Sequence, residues 1–494
     1  MIPFYRIREQ RGVCEGCGDF FQGLTSLRMV TYIIEYTTQV DMANMQLSDS
    51  EGGDMDVLLI HPPFLEGFSR AGIEMPPLGI GYLASVLRQD GHRVRIADLN
   101  MDSRGLLDRA GEFDLVGISG DTPRHEMALD LAGKVREQGV PVVMGGPHVS
   151  FRAEENLRSG PVDYVVRGEG EASFRDLVRD LQDGGDGVGV SGVSCRNNGD
   201  VVHNSEAGFL DIDEIPLPAR DLLPISSYRV YVGDRLGTTV IGSRGCPFNC
   251  SFCSSSELFG LNWRPREPEA VVDEVEYLHR HYGYRAVLFM DDNFTLDPDR
   301  TIRICELMLK RDLDVHWWCF SRVNSVNKRE DMVESMAAAG AKVFFMGVET
   351  PHDEVLDHYN KKATSEDAEK AIRTLHKHGI RVFGSLIIGD PQEDQRMIRQ
   401  TISYAKSLKP NMVQFAILTP YPGTELYDEL QPRLLDRDWS YYDGMYSVIS
   451  YDYLTPEEVE GFLTKAYLSF YLRPKQLYVW GGQMAKFLMY LARR

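Results

Sequence analysis

Short apolar runs alternate with amphipathic stretches along the chain from residue 56 onward. Asp56-Val-Leu-Leu-Ile60 is an apolar run of strand length, and 78–89 carries apolar positions at helical spacing up to Asp90-Gly91. Strand-like runs recur at 93–97, 114–118, 141–144 and 164–166, with helical patterns at 126–138 and 172–182. Five short strands alternating with helices predict an open, doubly wound parallel sheet over 55–185. The glycine-rich turn Gly184-Gly-Asp-Gly-Val-Gly189 opens an ordered linker over 186–236, where Pro216, Pro218 and Pro224 break any period. A second alternation follows, with strands at 238–242, 286–290, 315–320, 343–346, 382–388 and 413–418 and helices such as 268–282 and 365–378. Six such units predict a partial (β/α)6 barrel over 237–425, and 426–494 reads as a helical C-terminal region. The fold class is α/β, a doubly wound sheet followed by a partial barrel.

Polar clusters fall where these strands end. In the first sheet they are His61-Pro62-Pro63, Ser119-Gly-Asp-Thr122, Gly145-Gly-Pro-His148 and Gly168-Glu169-Gly170. In the barrel they are Asp291-Asp292-Asn293, Ser321-Arg322, Gly347-Val-Glu349, Gly389-Asp390 and Thr419-Pro-Tyr-Pro-Gly423. Ligands of open parallel sheets sit in the crevice at the carboxyl ends of the strands, and barrel chemistry lies at the same rim. Tight strand-to-helix turns with no ligand would account for any one glycine pair.

Composition places limits on this picture. With 43% hydrophobic and 26% charged residues in 494, the chain has the make-up of a soluble globular protein of two or three domains. A net charge of −20 argues against a nucleic-acid-coating surface. No apolar run reaches the roughly 18 residues of a membrane span. Residues 1–54 are expected to be a poorly ordered extension; Cys14 and Cys17 form a lone C-x2-C without the second ligand pair that zinc would need. From Gly461 onward there are six basic residues (Lys465, Arg473, Lys475, Lys486, Arg493, Arg494) and no acidic one, with Tyr467, Phe470, Tyr471, Tyr478, Trp480, Phe487 and Tyr490 interleaved. Such a helix either lies on an anionic membrane surface or packs its aromatics on the barrel.

The sharpest chemical signal is Ser243-Arg-Gly-Cys-Pro-Phe-Asn-Cys-Ser-Phe-Cys253, which sets Cys246, Cys250 and Cys253 in C-x3-C-x2-C spacing. Three thiolates on one loop can ligate three irons of a cubane, which usually takes four, so one iron is left open. Cys195, Cys305 and Cys319 sit among apolar neighbours and read as core.

On this loop the chain resembles the radical S-adenosylmethionine (SAM) superfamily. The resemblance implies a [4Fe–4S] cluster on Cys246, Cys250 and Cys253 whose open iron binds SAM, cleaved reductively to a 5′-deoxyadenosyl radical. The family commonly carries Gly-Gly-Glu where this chain has Asp291, Asp292 and Asn293, so the methionyl amine would meet carboxylates instead. Two carboxylates near an ammonium favour both ionised forms. Arg322 is the candidate for the methionyl carboxylate, Glu349 for the ribose hydroxyls or amine, and Gly389 for a further SAM contact. The alternative for each charged group is an ordinary rim ion pair. An oxygen-sensitive cluster implies a reducing, cytoplasmic setting and a flavodoxin- or ferredoxin-type electron donor.

The stretch 56–185 resembles the cobalamin-binding domain that precedes the barrel in one class of this superfamily, best at Gly145-Gly-Pro-His-Val-Ser150 and Val166-Arg-Gly-Glu-Gly-Glu171. The resemblance implies that Gly145 and Gly146 let the nucleotide tail approach the backbone, with Ser119 and Thr122 hydrogen-bonding around it and Glu169 beside it. His148 is a tail contact or a helix cap. The Asp-x-His-x-x-Gly motif that supplies a cobalt ligand elsewhere is absent, and His61-Pro-Pro-Phe-Leu-Glu-Gly stands in its place. The implied activity is C-methylation of an unactivated carbon through methylcobalamin. An oxidative cyclase or ring-rearranging enzyme with the same cofactors is the alternative, and a non-catalytic cobalamin sensor a third reading. The substrate class left open is small-molecule or lipid-like.

Overall fold

Two seven-stranded sheets organise the described residues, which are 54–63, 75–101, 103–474 and 476 of the computed structural model. Cys14, Cys17, the chain from Phe64 to Glu74 and the tail aromatics Tyr478, Trp480, Phe487 and Tyr490 lie outside them.

The first sheet contains β1 (Asp56–His61), β2 (Arg93–Asp98), β3 (Leu115–Ser119), β4 (Val142–Gly145), β5 (Tyr164–Val166), β6 (Val193–Asn197) and β7 (Asp200–His203), in spatial order β2-β1-β3-β4-β5-β6-β7. The first five are parallel, as the alternation predicts. Leu58, Ile60, Val116 and Ile118 pack on one face and Val57, Leu59 and Leu115 on the other. Helices cover both, which is why these strands read as unbroken apolar runs.

β6 and β7 extend the sheet in antiparallel fashion from within the stretch expected to be a linker. Their turn is Asn198-Gly199, with φ of 51° and 90°. Asn-Gly is a strong hairpin signal because both residues tolerate positive φ. Further along, Arg220 inserts its guanidinium beneath the barrel, donating to Thr238 Oγ1 (3.1 Å), the Thr239 carbonyl (2.7 Å) and Glu274 Oε1 (3.0 Å).

The second sheet comprises β8 (Val230–Val232), β9 (Arg235–Val240), β12 (Ala286–Phe289), β13 (His316–Arg322), β14 (Ala341–Glu349), β15 (Arg381–Ile388) and β16 (Met412–Ile417); a separate two-stranded ribbon holds β10 (Ser243–Arg244) and β11 (Arg264–Pro265). Six of the seven strands are parallel, and β8 runs antiparallel along β9. The half-barrel therefore ends in an open edge at β16. The helix Pro456–Tyr471, started by a Thr455/Glu458 capping box, closes that edge. Tyr467 Oη accepts from the Phe415 amide and donates to its carbonyl, and Tyr471 Oη does the same at Val413. Edge groups left open invite another chain; here two phenols take them up. Tyr467, Phe470 and Tyr471 thus pack on the barrel. Among the described residues no helix is long and apolar enough to cross a membrane.

Glu274 Oε2 also accepts from Arg266 (2.6 Å), so one buried carboxylate serves two guanidiniums between linker and barrel. Removing one member of such a group strands the others without solvent. Glu274→Ala is expected to cost about 3–5 kcal/mol, visible as a lower midpoint in urea unfolding, with Glu274→Gln less affected. An unchanged midpoint for the alanine variant would contradict this reading.

Candidate functional site

The cysteine loop leaves the barrel at Ile241 and is held at many points. Asp291, fully buried at the end of β12, accepts from the Gly242 amide (2.7 Å) and Ser243 Oγ (2.9 Å). Burial raises its carboxyl to about 6, against the pull of those bonds and of Arg300. Gly245 has φ +79°, and a Cβ there would lie 2.2 Å from the Asn262 carbonyl oxygen, so no other residue fits. Further on, the Ser251 amide donates to the Tyr359 carbonyl (3.1 Å), its carbonyl accepts from Leu426 (2.9 Å), and Asn360 Nδ2 donates to the Asn249 carbonyl (2.5 Å). Cys246 and Cys250 are buried and Cys253 half-buried, and burial pushes the Cys246 and Cys253 thiols up. Among the described residues no three His, Cys, Asp or Glu side chains converge on one point as a mononuclear metal would require. A donor set of three thiols on one buttressed loop, with no fourth, fits a cubane with one open iron.

The structure separates the rim residues named from sequence into two kinds. Asp292, beside Asp291, is exposed and lines the cavity described below; it accepts from the Gly245 amide (3.1 Å), and burial of its surroundings raises its carboxyl. Asn293 points the other way, buried against Ser325 (3.2 Å) and Thr295. Arg322 is buried, stacks 4.0 Å over the Phe248 ring, donates to Cys250 Sγ (3.0 Å) and reaches the Lys361 carbonyl. Glu349 adopts φ +61° at a register shift between β14 and β15, and its carboxylate is engaged by buried Lys361. A side chain in that region of φ needs surrounding structure to hold it. Gly389, at φ +85°, donates its amide to Glu393 Oε2 (2.7 Å), and burial raises Glu393 to about 7. Lys361 and Asn360, which reach this loop from after β14, carry no motif and were not singled out in the sequence.

A cavity of about 260 Å³ joins the two sheets. Ser119, Gly145, Gly146 and Glu169 line it from the first sheet, and Ile241, Ser243, Arg244, Met290 and Asp292 from the barrel. Gly145 opens onto this space: the nearest atom to a Cβ built there is 3.8 Å away. That is a cradle a side chain would fill, and it fits the approach of a bulky cofactor to the backbone. Gly146 differs. Its φ is +110° and a Cβ would lie 2.4 Å from the Gly120 carbonyl oxygen, so the close approach of the chain just past the ends of β3 and β4 demands this glycine. Thr122 and His148 do not line this cavity. His148 is buried between His125 (ring centroids 4.0 Å apart) and Trp439 (4.8 Å), with Nδ1 3.2 Å from Thr122 Oγ1. Thr122 borders a separate hollow with Ser254, Tyr421 and Asp443. His61 places Nε2 3.0 Å from an Arg124 guanidinium nitrogen, and burial with that charge lowers it to about 4.

Charge pairing across the cavity wall escaped the sequence. Arg244 donates to Glu171 (2.6 Å) and approaches Glu169 (3.4 Å), while Arg264 bonds Glu169 (3.0 Å to Oε2). All four side chains are buried or nearly so. The glutamates begin the helix Gly170–Gln182 of the first sheet, and the arginines form the β10–β11 ribbon flanking the cysteine loop. Arg244 also lies 5.2 Å over the Tyr82 ring.

Residues 240–405 match the model of the radical SAM superfamily, and 68–178 match that of the B12-binding domain. The chain is 39% identical to an uncharacterized methyltransferase of Pyrococcus horikoshii, over 86% of this chain and 94% of that one. It is 30% identical to an anaerobic magnesium-protoporphyrin IX monomethyl ester cyclase of Rubrivivax gelatinosus, over 85% and 78% respectively. In fold it is similar to the radical SAM methyltransferase TsrM of Kitasatospora setae, solved with cobalamin and a [4Fe–4S] cluster, with TM-score 0.68, 18% identity and coverage of 85% and 90%.

The two glycines give separable expectations. Gly145→Ala should fold as wild type but retain less cobalamin, read from visible absorbance after gel filtration. Gly146→Ala should lower the unfolding midpoint itself. The His125–His148 pair gives a pH dependence. Burial holds these imidazoles at about 4 and about 2, whereas an unfolded histidine titrates near 6.5. Between about 6.5 and 4 the unfolded chain binds more protons, so stability falls as pH drops, by up to about 1.4 kcal/mol per pH unit for each histidine. Unfolding midpoints across this window should show that slope, and the His125→Gln/His148→Gln double variant should lose part of it.

Proposed function

The chain belongs to the radical SAM superfamily in its B12-binding form, and from that premise we propose that it is a methyltransferase acting on an unactivated carbon. Its cofactors are a [4Fe–4S] cluster, SAM and cobalamin. The observation that carries the reading is the single cavity bordered both by the strand ends of the first sheet and by Ser243, Arg244 and Asp292 beside the cysteine loop. When bound, these groups supply a 5′-deoxyadenosyl radical and a transferable methyl group to one shared space.

The chain's own residues then position and insulate. Cys246, Cys250 and Cys253 hold the cluster, with the Arg322 guanidinium against Cys250 Sγ. Asp292 is the rim carboxylate open to the cavity and is the residue assigned to the methionyl amine; Asp291 is occupied by the Gly242 amide and Ser243 hydroxyl and Asn293 by the Ser325 and Thr295 hydroxyls. Gly145 and Ser119 border the space assigned to the cobalamin tail. Ile241, Leu258, Phe259 and Met290 give the cavity an apolar wall that keeps water from a carbon radical. The cyclase relative favours a second reading, oxidative ring closure on the same cofactors.

Product mass separates the two. Reconstituted enzyme is incubated with SAM carrying a deuterated methyl group and an organic extract of cells lacking the gene. The expected product is heavier by one labelled methyl in place of hydrogen; ring closure without label would overturn methyl transfer. Asp292→Asn should weaken SAM binding about 10- to 100-fold, as loss of a hydrogen bond to a charged group predicts, measured by isothermal titration. Cys250→Ala should abolish 5′-deoxyadenosine formation.

A further inference from the structure

The strands of the half-barrel send alternate side chains to the helices and to the lumen. The helix-facing set is fully buried, as at Trp317, Phe344 and Phe415. The lumen-facing set is mostly only half-buried, and on three neighbouring strands it includes four aromatics, Trp318 and Phe320 on β13, Phe345 on β14 and Phe383 on β15. These four rings touch in a closed circuit, with centroids 6.1 Å apart for Trp318–Phe320, 5.0 Å for Phe320–Phe345, 5.0 Å for Phe345–Phe383 and 6.3 Å for Trp318–Phe383.

The register gives their depth. Arg322, Gly347 and Ser385 form one layer across β13, β14 and β15, and Phe320, Phe345 and Phe383 form the layer two residues below. Two residues of strand span about 7 Å, so the aromatic layer starts about that far along the strands from the backbone layer of Arg322, whose guanidinium touches Cys250 Sγ. Met290, which lines the shared cavity, and Trp318 both pack against the cluster of Val230, Val232, Ala286 and Leu288, which sets the aromatic layer near that cavity. A half-exposed aromatic surface facing the lumen, next to the cofactor stations, is a binding surface.

We infer that these four aromatic side chains form the substrate floor, and that the part of the substrate they hold is a saturated hydrocarbon rather than a flat conjugated ring. This rests on the reading of the enzyme as acting on an unactivated carbon. The ring planes are inclined to one another by 88°, 51°, 66° and 73° around the circuit. No two of the touching rings share a plane, so a flat macrocycle could stack on one ring at a time. An aliphatic segment meets faces and edges equally well, since dispersion contact does not need coplanarity. Phe320, Phe345 and Phe383 present no charge or hydrogen-bonding group in their layer. Polar groups flank that layer: Arg322, Ser385 and Gln414 one layer nearer the rim, Arg381 one layer below on β15, and the unpartnered indole N–H of Trp318 beside it.

The test is binding to the cofactor-loaded enzyme, measured by equilibrium dialysis with radiolabelled hexadecanol and, separately, with protoporphyrin IX. Hexadecanol should bind more tightly than the porphyrin. Phe345→Ala and Phe383→Ala should each weaken hexadecanol binding about tenfold or more while cobalamin absorbance and the cluster's spectrum remain those of wild type, and Phe345→Leu should restore most of it. Tighter binding of protoporphyrin IX, or unchanged hexadecanol binding in loaded alanine variants, would overturn the inference. Hexadecanol binding that depends on these rings, in an enzyme that puts no labelled methyl on any product, supports the hydrocarbon floor and sinks methyl transfer instead.

Discussion

The buried ion group formed by Glu169 and Glu171 with Arg244 and Arg264 decides how the two sheets meet. Its acidic half starts a helix of the first sheet and its basic half is the ribbon that leads into and out of the cysteine loop. Charges removed from water are costly unless paired, and half a pair left behind costs more. The two sheets therefore have one low-energy docking, with the loop facing the strand ends across the cavity. Behind it, Glu274 pairs with Arg220 and Arg266, and Arg300 and Asp291 carry a buried polar network on to Gly242 and Ser243. Pairing and hydrogen bonds to backbone carbonyls let a buried charged layer stay satisfied, and they fix direction as apolar packing alone does not.

That docking gives neighbouring residues different work. Asp291 and Asp292 are consecutive, yet one is consumed in holding the loop's first residues and the other faces the cavity. Gly145 and Gly146 divide in the same way, the first opening a surface and the second permitting the close approach to Gly120. At the opposite edge of the barrel, Tyr467 and Tyr471 satisfy β16 with their phenols, which ends the sheet without a seventh parallel strand. The inward aromatic layer of β13, β14 and β15 is partly buried, its rings packed on one another.

The sequence alone determined the elements and the chemistry of the loop. Apolar runs bounded by glycine and polar strand ends specify five parallel strands and a six-strand half-barrel, because burial on both faces demands such runs. The cysteine spacing alone offers three thiolates to one cluster, a chemistry that needs no tertiary information to be read. The hairpin at Asn198-Gly199, in the stretch expected to be a linker, was missed although its turn signal is local. What only the tertiary structure decided was which strand-end residues face the cavity. The pairs Arg244–Glu171 and Arg264–Glu169 join residues 73 and 95 positions apart, and no local period links them. His148 and Thr122 belong to glycine-rich strand ends like their neighbours, but the short helix Pro147–Phe151 turns His148 away toward His125 and Trp439. Local pattern fixes what a residue can do, because propensity and burial act over a few positions. The docking of two sheets fixes what it faces, because that depends on the far side of the chain.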